Sequence, residues 1–331
     1  MPKTHHIEQA RRALKHVERA IPWLTLVAAP VGVFLVVRSQ RDAISAIDWT
    51  ISWEPVTASV LAFALAPLMQ GLSFWLVLRF LTGTTPLSDA MLVWGRSYVV
   101  RYAPTGALAI AYRLSARHRL HASADQVLAA YGYEHVGALA AGAGACLVLF
   151  AVAGDLPPLL PLGVALAALL LTAGLRPGLA GRAVQAFAGR FGLHLSVILE
   201  GRQLAAVVAL NAVGWLGTGT AVYVLVAAVT GAAPGFVWLV GSYTAGYLVG
   251  FVTPLAPGGL GAREGTLVML LGPRFGSGVA LGVSLVIRVV NIAGELLAVL
   301  LVHGVCAIGA VWKREGRSES FGPVGASPSA S

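Results

Sequence analysis

The sequence predicts an all-α fold: a polytopic membrane helix bundle with two broken, re-entrant hairpins related by an inverted repeat. Three observations predict it. Of 331 residues, 57% are hydrophobic and only 11% charged, and the mean hydropathy is +0.79, whereas soluble domains are about a quarter charged. Apolar runs near the ~20 residues needed to cross a bilayer recur along the chain. Prolines and glycines interrupt apolar sequence at two places, each beside ionisable side chains. Such backbone is tolerated at membrane depth only where protein or water satisfies it.

The elements follow in order. Residues 1–20 carry Lys3, Arg11, Arg12, Lys15 and Arg19, with Ile7, Ala10, Leu14 and Val17 on one helical face, which predicts a basic amphipathic segment on the cytoplasmic surface. The run 21–37 reads as an uncleaved first span rather than a signal peptide, because Arg38 and Arg41 follow it directly. Further apolar stretches lie at 56–81, 123–152, 156–174, 203–230, 236–256 and 277–312. Between them, 175–202 is a basic loop in which Val184, Phe187, Phe191, Leu195 and Ile198 recur at helical spacing, predicting a surface helix. The tail 313–331 opens with Lys313-Arg314, turns rich in Ser, Gly and Pro, and is expected to be disordered and cytoplasmic. One membrane domain, 21–312, thus divides into halves at about 21–152 and 156–312.

The two breaks decide the topology. Arg96, Arg101, Pro104, Gly106 and Arg113 interrupt the first, and Pro254, Pro257, Gly258, Gly259 and Gly261 the second. If neither region crosses the membrane, the short outside loops before the second hairpin hold only Arg38 and Arg41 among basic residues. Letting 88–113 cross would move Arg113, Arg117 and Arg119 outside, so the charge favours hairpins and six crossings, with both termini cytoplasmic. Eight crossings is the rival count. Ala103-Pro104-Thr105-Gly106 resembles Ala256-Pro257-Gly258-Gly259, 153 residues later, and Glu134 is answered by Arg288, 154 residues later. Three crossings per half would invert the second half relative to the first, a plan many transporters use.

Several polar residues stand out against this background. Ser284, Arg288, Asn291 and Glu295 draw a stripe down one face of the last long helix. An arginine or glutamate at that depth costs about 2.5–3.5 kcal/mol unless paired or wet. Two readings follow: an Arg288–Glu295 ion pair bridged by Asn291, or an anionic headgroup site on Arg288. Arg263 and Glu264 come just after Pro257, Gly258, Gly259 and Gly261, in the first turn of a half-helix whose free N–H groups favour an anion. Arg263 would grip a phosphate in bidentate fashion. Glu264 fits that picture less well and reads also as a helix cap or an arginine's partner. In the first half Glu134 needs a cation, with Arg113 or Arg288 as candidates, while His135, with Tyr131 one turn back, reads as a structural hydrogen bonder. Asn211, Trp215, Thr218 and Thr220 read as packing or interhelical hydrogen bonds.

Other classes find no support. The net charge of +9 lies in short loops between apolar runs and reads as topogenic charge facing anionic lipid, so no nucleic acid is expected. Cys146 and Cys306 sit in apolar runs and read as core residues, with no disulfide or metal framework. No Walker-type loop, His-Glu-x-x-His or Gly-x-Ser-x-Gly motif occurs. No catalytic residue, metal or cofactor is therefore assigned.

Pro257-Gly258-Gly259-Leu260-Gly261-Ala262-Arg263-Glu264, followed by Ser284-Leu285-Val286-Ile287-Arg288 and Glu295, resembles the second signature of the lysylphosphatidylglycerol synthase transmembrane, or flippase-like domain, family. Pro104, Gly106, Arg113 and Glu134 resemble the first signature, with Thr105 and Ala107 where glycines are common. The resemblance covers roughly residues 20–312. It implies a polytopic domain that, in bifunctional members, moves aminoacylated phosphatidylglycerol between leaflets beside a large soluble aminoacyl-transfer domain. This chain ends about twenty residues after its last predicted helix, so that transfer activity is not expected. The expected function is a plasma-membrane lipid translocase for an anionic phospholipid or lipid-linked precursor, with membrane lipids as partners. The alternative is a membrane enzyme or accessory subunit of glycolipid or polyprenyl-linked sugar metabolism. Glu134 or Glu264 would then be the working carboxylate, and lipid-modifying enzymes or glycosyltransferases the partners.

Overall fold

The computed structural model describes residues 38, 52–100, 107–153, 168, 172, 175–190, 198–232, 235–252 and 262–319. Outside them lie the amphipathic segment 1–20, the first span 21–37, most of 156–174, and residues 320–331 of the tail. The centres of both breaks, with Arg101, Pro104, Gly106, Pro257, Gly258, Gly259 and Gly261, lie outside them too.

The described chain is helical, with no strand among the described residues. It runs α1 (Trp53–Thr82), α2 (Leu87–Val99), α3 (Ala107–Ser115), α4 (Ala124–Ala153), α5 (Pro177–Gly189), α6 (Gly201–Thr230), α7 (Phe236–Val252), α8 (Ala262–Phe275) and α9 (Ser277–Glu319). Among these, α1, α6 and the Ser277–Ile308 part of α9 are long and apolar enough to cross a membrane. The protein is a helical membrane protein. Helix α4 also has 30 residues and carries Glu134 and His135 within an otherwise apolar sequence. Helices α2, α3 and α8 have 13, 9 and 14 residues. At 1.5 Å per residue they rise about 20, 14 and 21 Å, short of a hydrocarbon core about 30 Å thick.

Local sequence sets the ends. Helices α1 and α6 each stop at a glycine in the left-handed region, Gly83 (φ 72°) and Gly231 (φ 64°), a conformation that side chains with a Cβ disfavour. Their N–H groups close the last turns on the carbonyls of Arg79 and Ala227. The start of α6 is a capping box between Glu200 and Gln203. Helix α9 runs to Glu319, past the expected boundary at Trp312. Lys313, Arg314 and Glu315 are good helix formers, so the helix continues into the segment expected to be disordered. The expected surface helix is α5, and it is docked: Ala180, Val184 and Ala188 are buried as it packs on α4.

Packing centres on α1 and α6, which make the most extensive helix contact. They run antiparallel. Near one end Ser59 Oγ donates to the Ala221 carbonyl (3.1 Å), and near the other Asn211 Nδ2 donates to Ser73 Oγ (3.0 Å). At the crossing, a Cβ on Gly214 would lie 3.0 Å from Ala66 Cα, so the backbones touch. Helix α9 packs on the other side of α1, and α4 packs on both α1 and α6. The core falls into two parts. One gathers Phe74, Leu78, Trp94 and Tyr133 in the first half. The other gathers Phe63, Leu225, Tyr243, Leu271 and Ile287, mostly in the second.

Candidate functional site

Each half holds an arginine–glutamate pair, fully buried in the first half and partly buried in the second, that links the short helix after the break to the long helix behind it. In the first half, Arg113 near the end of α3 donates from Nη1 to Glu134 Oε2 on α4 at 2.5 Å. Both are buried, at 3% and 1% exposure, so neither is solvated by bulk water. The neighbours complete the pair. Trp94 Nε1 on α2 donates to the other carboxylate oxygen (3.1 Å), and Arg113 Nε donates to Ser97 Oγ (2.7 Å). The guanidinium lies over the rings of Phe74 (4.3 Å) and Tyr131 (4.9 Å). Two charges buried in this way are tolerable only when paired and hydrogen-bonded, and these are.

The second half repeats the plan with the signs exchanged. Glu264, in the first turn of α8, accepts from Arg288 Nη1 on α9. Of the readings open for Glu264, arginine partner is the one the geometry realises. Within α9, Asn291 Nδ2 donates to Glu295 Oε1 (3.1 Å). The partner of Glu134 is Arg113 and not Arg288. Arg263, beside Glu264 in the sequence, turns to α7. Its Nη2 donates to the Tyr243 hydroxyl (2.5 Å), and its guanidinium lies over the rings of Tyr243 (4.7 Å) and Tyr247 (5.4 Å).

Two adjoining cavities lie beside the first pair and beside Tyr243, Asn291 and Glu295. One, of about 170 Å³, reaches Arg113, Glu134, Ser97 and Tyr131. The other, of about 60 Å³, lies at the α1–α6 crossing beside Ala66 and Gly214 and reaches Asn211, Tyr243, Asn291 and Glu295. Gln70, Tyr98, His135, Tyr247 and Phe251 line both. The predicted residues Arg113, Glu134, Asn291 and Glu295 therefore border these two adjoining cavities, while Arg263 stands behind Tyr243, and Glu264 and Arg288 line neither cavity. His135 Nδ1 donates to the Tyr131 carbonyl (2.8 Å), the structural role expected, yet its ring also borders both cavities. Asn211 makes the expected interhelical bond to Ser73, and Trp215 Nε1 donates to the Ala138 carbonyl (2.9 Å).

Sequence reasoning missed Trp94, Ser97, Tyr243, Tyr247 and Gln70. A signal was available for two of them, because Tyr243 and Tyr247 stand four apart on one face of an otherwise apolar helix. Among the described residues no group of three or more His, Cys, Asp or Glu is placed to hold a metal ion.

Comparison with known proteins adds one match. The model of a family described as the lysylphosphatidylglycerol synthase TM region matches residues 23–298. None of the curated proteins matches the chain.

Proposed function

The chain belongs to the lysylphosphatidylglycerol synthase TM region family, and on that premise we propose that it is a membrane lipid translocase. It moves an anionic phospholipid or lipid-linked precursor between the leaflets of the plasma membrane. The acyl chains stay in the bilayer, so only the headgroup needs a polar path. The observation that carries this reading is the pair of adjoining cavities between the buried Arg113–Glu134 pair and Asn291, Glu295 and Tyr243. Polar interior of this kind is costly in a membrane domain, and structural ion pairs alone do not require open volume beside them.

Arg263 and Arg288 are the phosphate-binding groups in this account. Each guanidinium has five N–H donors, so a bond to Tyr243 or Glu264 leaves capacity for a phosphate. Glu264 holds Arg288 in place and balances its charge when no lipid is bound. Arg113 and Glu134 form the opposite gate, and Pro257, Gly258, Gly259 and Gly261, which precede α8 in the sequence, complete the substrate-binding set.

An inverted repeat supports the transport reading. The helices run long, short, short, long in each half, as α1–α4 and α6–α9. Trp53 and Gly201 open α1 and α6 at an offset of 148, and Gly83 and Gly231 end them at the same offset. Ala66 and Gly214, also 148 apart, meet each other at the crossing. Equivalent helices that cross antiparallel at equivalent residues are related by a two-fold axis perpendicular to them. For spanning helices that axis lies in the membrane plane. Short helices beside each break, with α2, α3 and α8 too short to span, fit two re-entrant hairpins, six crossings and cytoplasmic termini.

The test is reconstitution of the full chain into vesicles with a fluorescent phosphatidylglycerol and chemical quenching of the outer leaflet. A translocase lets quenching pass the half-way plateau of protein-free vesicles. A plateau unchanged by well-folded protein, for every anionic lipid tried, rejects the reading.

A further inference from the structure

The side chains around the cavity at the α1–α6 crossing turn oxygen atoms towards it. Asn211 spends its amide N–H groups on Ser73 Oγ (3.0 Å) and on the Val207 carbonyl (2.9 Å). A carbonyl only accepts, so this bond fixes the amide's orientation and leaves Oδ1 as its other end. Asn291 is oriented the same way: its Nδ2 donates to Glu295 Oε1 (3.1 Å), which leaves its Oδ1. Trp215, which also lines the cavity, has its one donor on the Ala138 carbonyl.

These oxygens face open space. Among the described residues, every sealed side-chain nitrogen or oxygen has a hydrogen-bond partner. Asn211 Oδ1, Asn291 Oδ1 and the Thr218 hydroxyl have none, although the three residues are only 5%, 9% and 5% exposed. They therefore open onto the cavity that all three line. Gln70 adds a carboxamide, and Glu295 is the one acidic side chain among the described residues of the lining.

Charge and size select the ligand. Water can satisfy amide oxygens, but a buried carboxylate beside them favours a cation and repels an anion. Oxygen ligands suit a hard metal ion, and divalent ions draw on several carboxylates, so a single one suits a monovalent ion. Neutral oxygens supply the other ligands, so no cluster of acidic or histidine side chains is needed. Neither Arg113 nor Arg263 lines this cavity; Arg113 is paired with Glu134, and Arg263 meets the space through Tyr243 and Tyr247. At about 60 Å³ the cavity holds roughly two waters at about 30 Å³ each, room for a partly dehydrated ion but not for a lipid headgroup.

We infer that this cavity binds a monovalent metal cation of the size of Na⁺, held by Glu295, Asn211 Oδ1, Asn291 Oδ1 and the Thr218 hydroxyl. The place suits a coupling ion, because such sites lie between the repeats of inverted-repeat transporters, and α1 and α6 are the repeat equivalents proposed above. An ion gradient would then supply the energy for lipid movement. The binding of the ion itself does not depend on the translocase reading.

Equilibrium binding of radioactive sodium to the purified full chain tests it, at constant ionic strength with choline as the replacing cation. The expected result is saturable binding that unlabelled Na⁺ displaces and choline does not. Glu295→Gln is expected to abolish it. Thr218→Val, which removes one hydroxyl at nearly constant volume, is expected to weaken it several-fold, up to about ten-fold. Na⁺ in place of choline should also raise the unfolding temperature of wild type and not that of Glu295→Gln. If Glu295→Gln does not fold, Thr218→Val decides alone. No saturable binding by wild type overturns the inference, and so does unchanged affinity in the folded variants, which would put the ion elsewhere. The measurements contain no lipid, so failure here leaves the phosphate site to the lipid assays.

Discussion

Arg288 on α9 donates to Glu264 on α8, tying the long helix to the first turn of the short helix that follows the break. The first half makes the same connection with the charges exchanged, Arg113 on α3 to Glu134 on α4. The first pair borders a cavity that continues to Tyr247, and the second stands next in sequence to Arg263, which contacts Tyr247. That placement yields predictions which separate structural from transport roles.

Removing one member of the first pair leaves the other charge buried and unpartnered. Arg113→Ala or Glu134→Ala alone is expected to cost about 3–5 kcal/mol of stability. The double variant Arg113→Met with Glu134→Leu removes both charges at similar volume and is expected to recover most of that loss. Thermal unfolding in detergent measures stability, and vesicle assays measure transport. If the stable double variant still transports at the wild-type rate, the pair is structural only.

Tyr243→Phe keeps a ring beneath Arg263 but removes the hydroxyl that accepts its bond. A hydrogen bond to a charged group is worth about 1.5–3 kcal/mol, so unfolding should shift down accordingly. Arg263→Lys should weaken phosphate binding, because a point charge replaces a planar fork. Thermal unfolding checks the first and calorimetry with inorganic phosphate the second; unchanged affinity in Arg263→Lys contradicts the bidentate role.

Gly294 lets α9 approach α1. A Cβ there would sit 2.5 Å from Phe63 Cβ and 2.9 Å from the Val60 carbonyl oxygen, so Gly294→Val must push the helices apart. The expected cost is about 1–3 kcal/mol, read as a lower unfolding temperature. A neutral result would mean that the helices do not pack this closely in the membrane.

Much of the helix plan was legible because burial in lipid leaves a long, uniform apolar signal. The stretches 56–81, 123–152 and 203–230 came out as Trp53–Thr82, Ala124–Ala153 and Gly201–Thr230. The charged residues were equally conspicuous, since each is rare in such sequence. Their partners were not. Arg288 has Glu295 two turns along its own helix, and the helical period proposes that pair, yet its bond to Glu264 comes from how α8 folds back on α9. The roles of Trp94 and Ser97 were hidden for the same reason: they depend on where α2 lies against α3 and α4.

Topology has a separate test. Arg117 is exposed in the turn after α3, and the six-crossing arrangement puts it on the cytoplasmic side. With Cys146 and Cys306 replaced by alanine, Arg117→Cys should react with a membrane-impermeant maleimide only from that side. Labelling from the opposite face would favour eight crossings and remove the first re-entrant hairpin.

The central claim is that a lipid phosphate crosses by way of Arg288, and one comparison addresses it most directly. Wild type and Arg288→Ala, each confirmed as folded, are reconstituted at equal density with fluorescent phosphatidylglycerol, and outer-leaflet quenching is followed over time. The account predicts quenching beyond the half-way plateau for wild type, and a loss of most of that excess in Arg288→Ala. Equal translocation by the two proteins would contradict it.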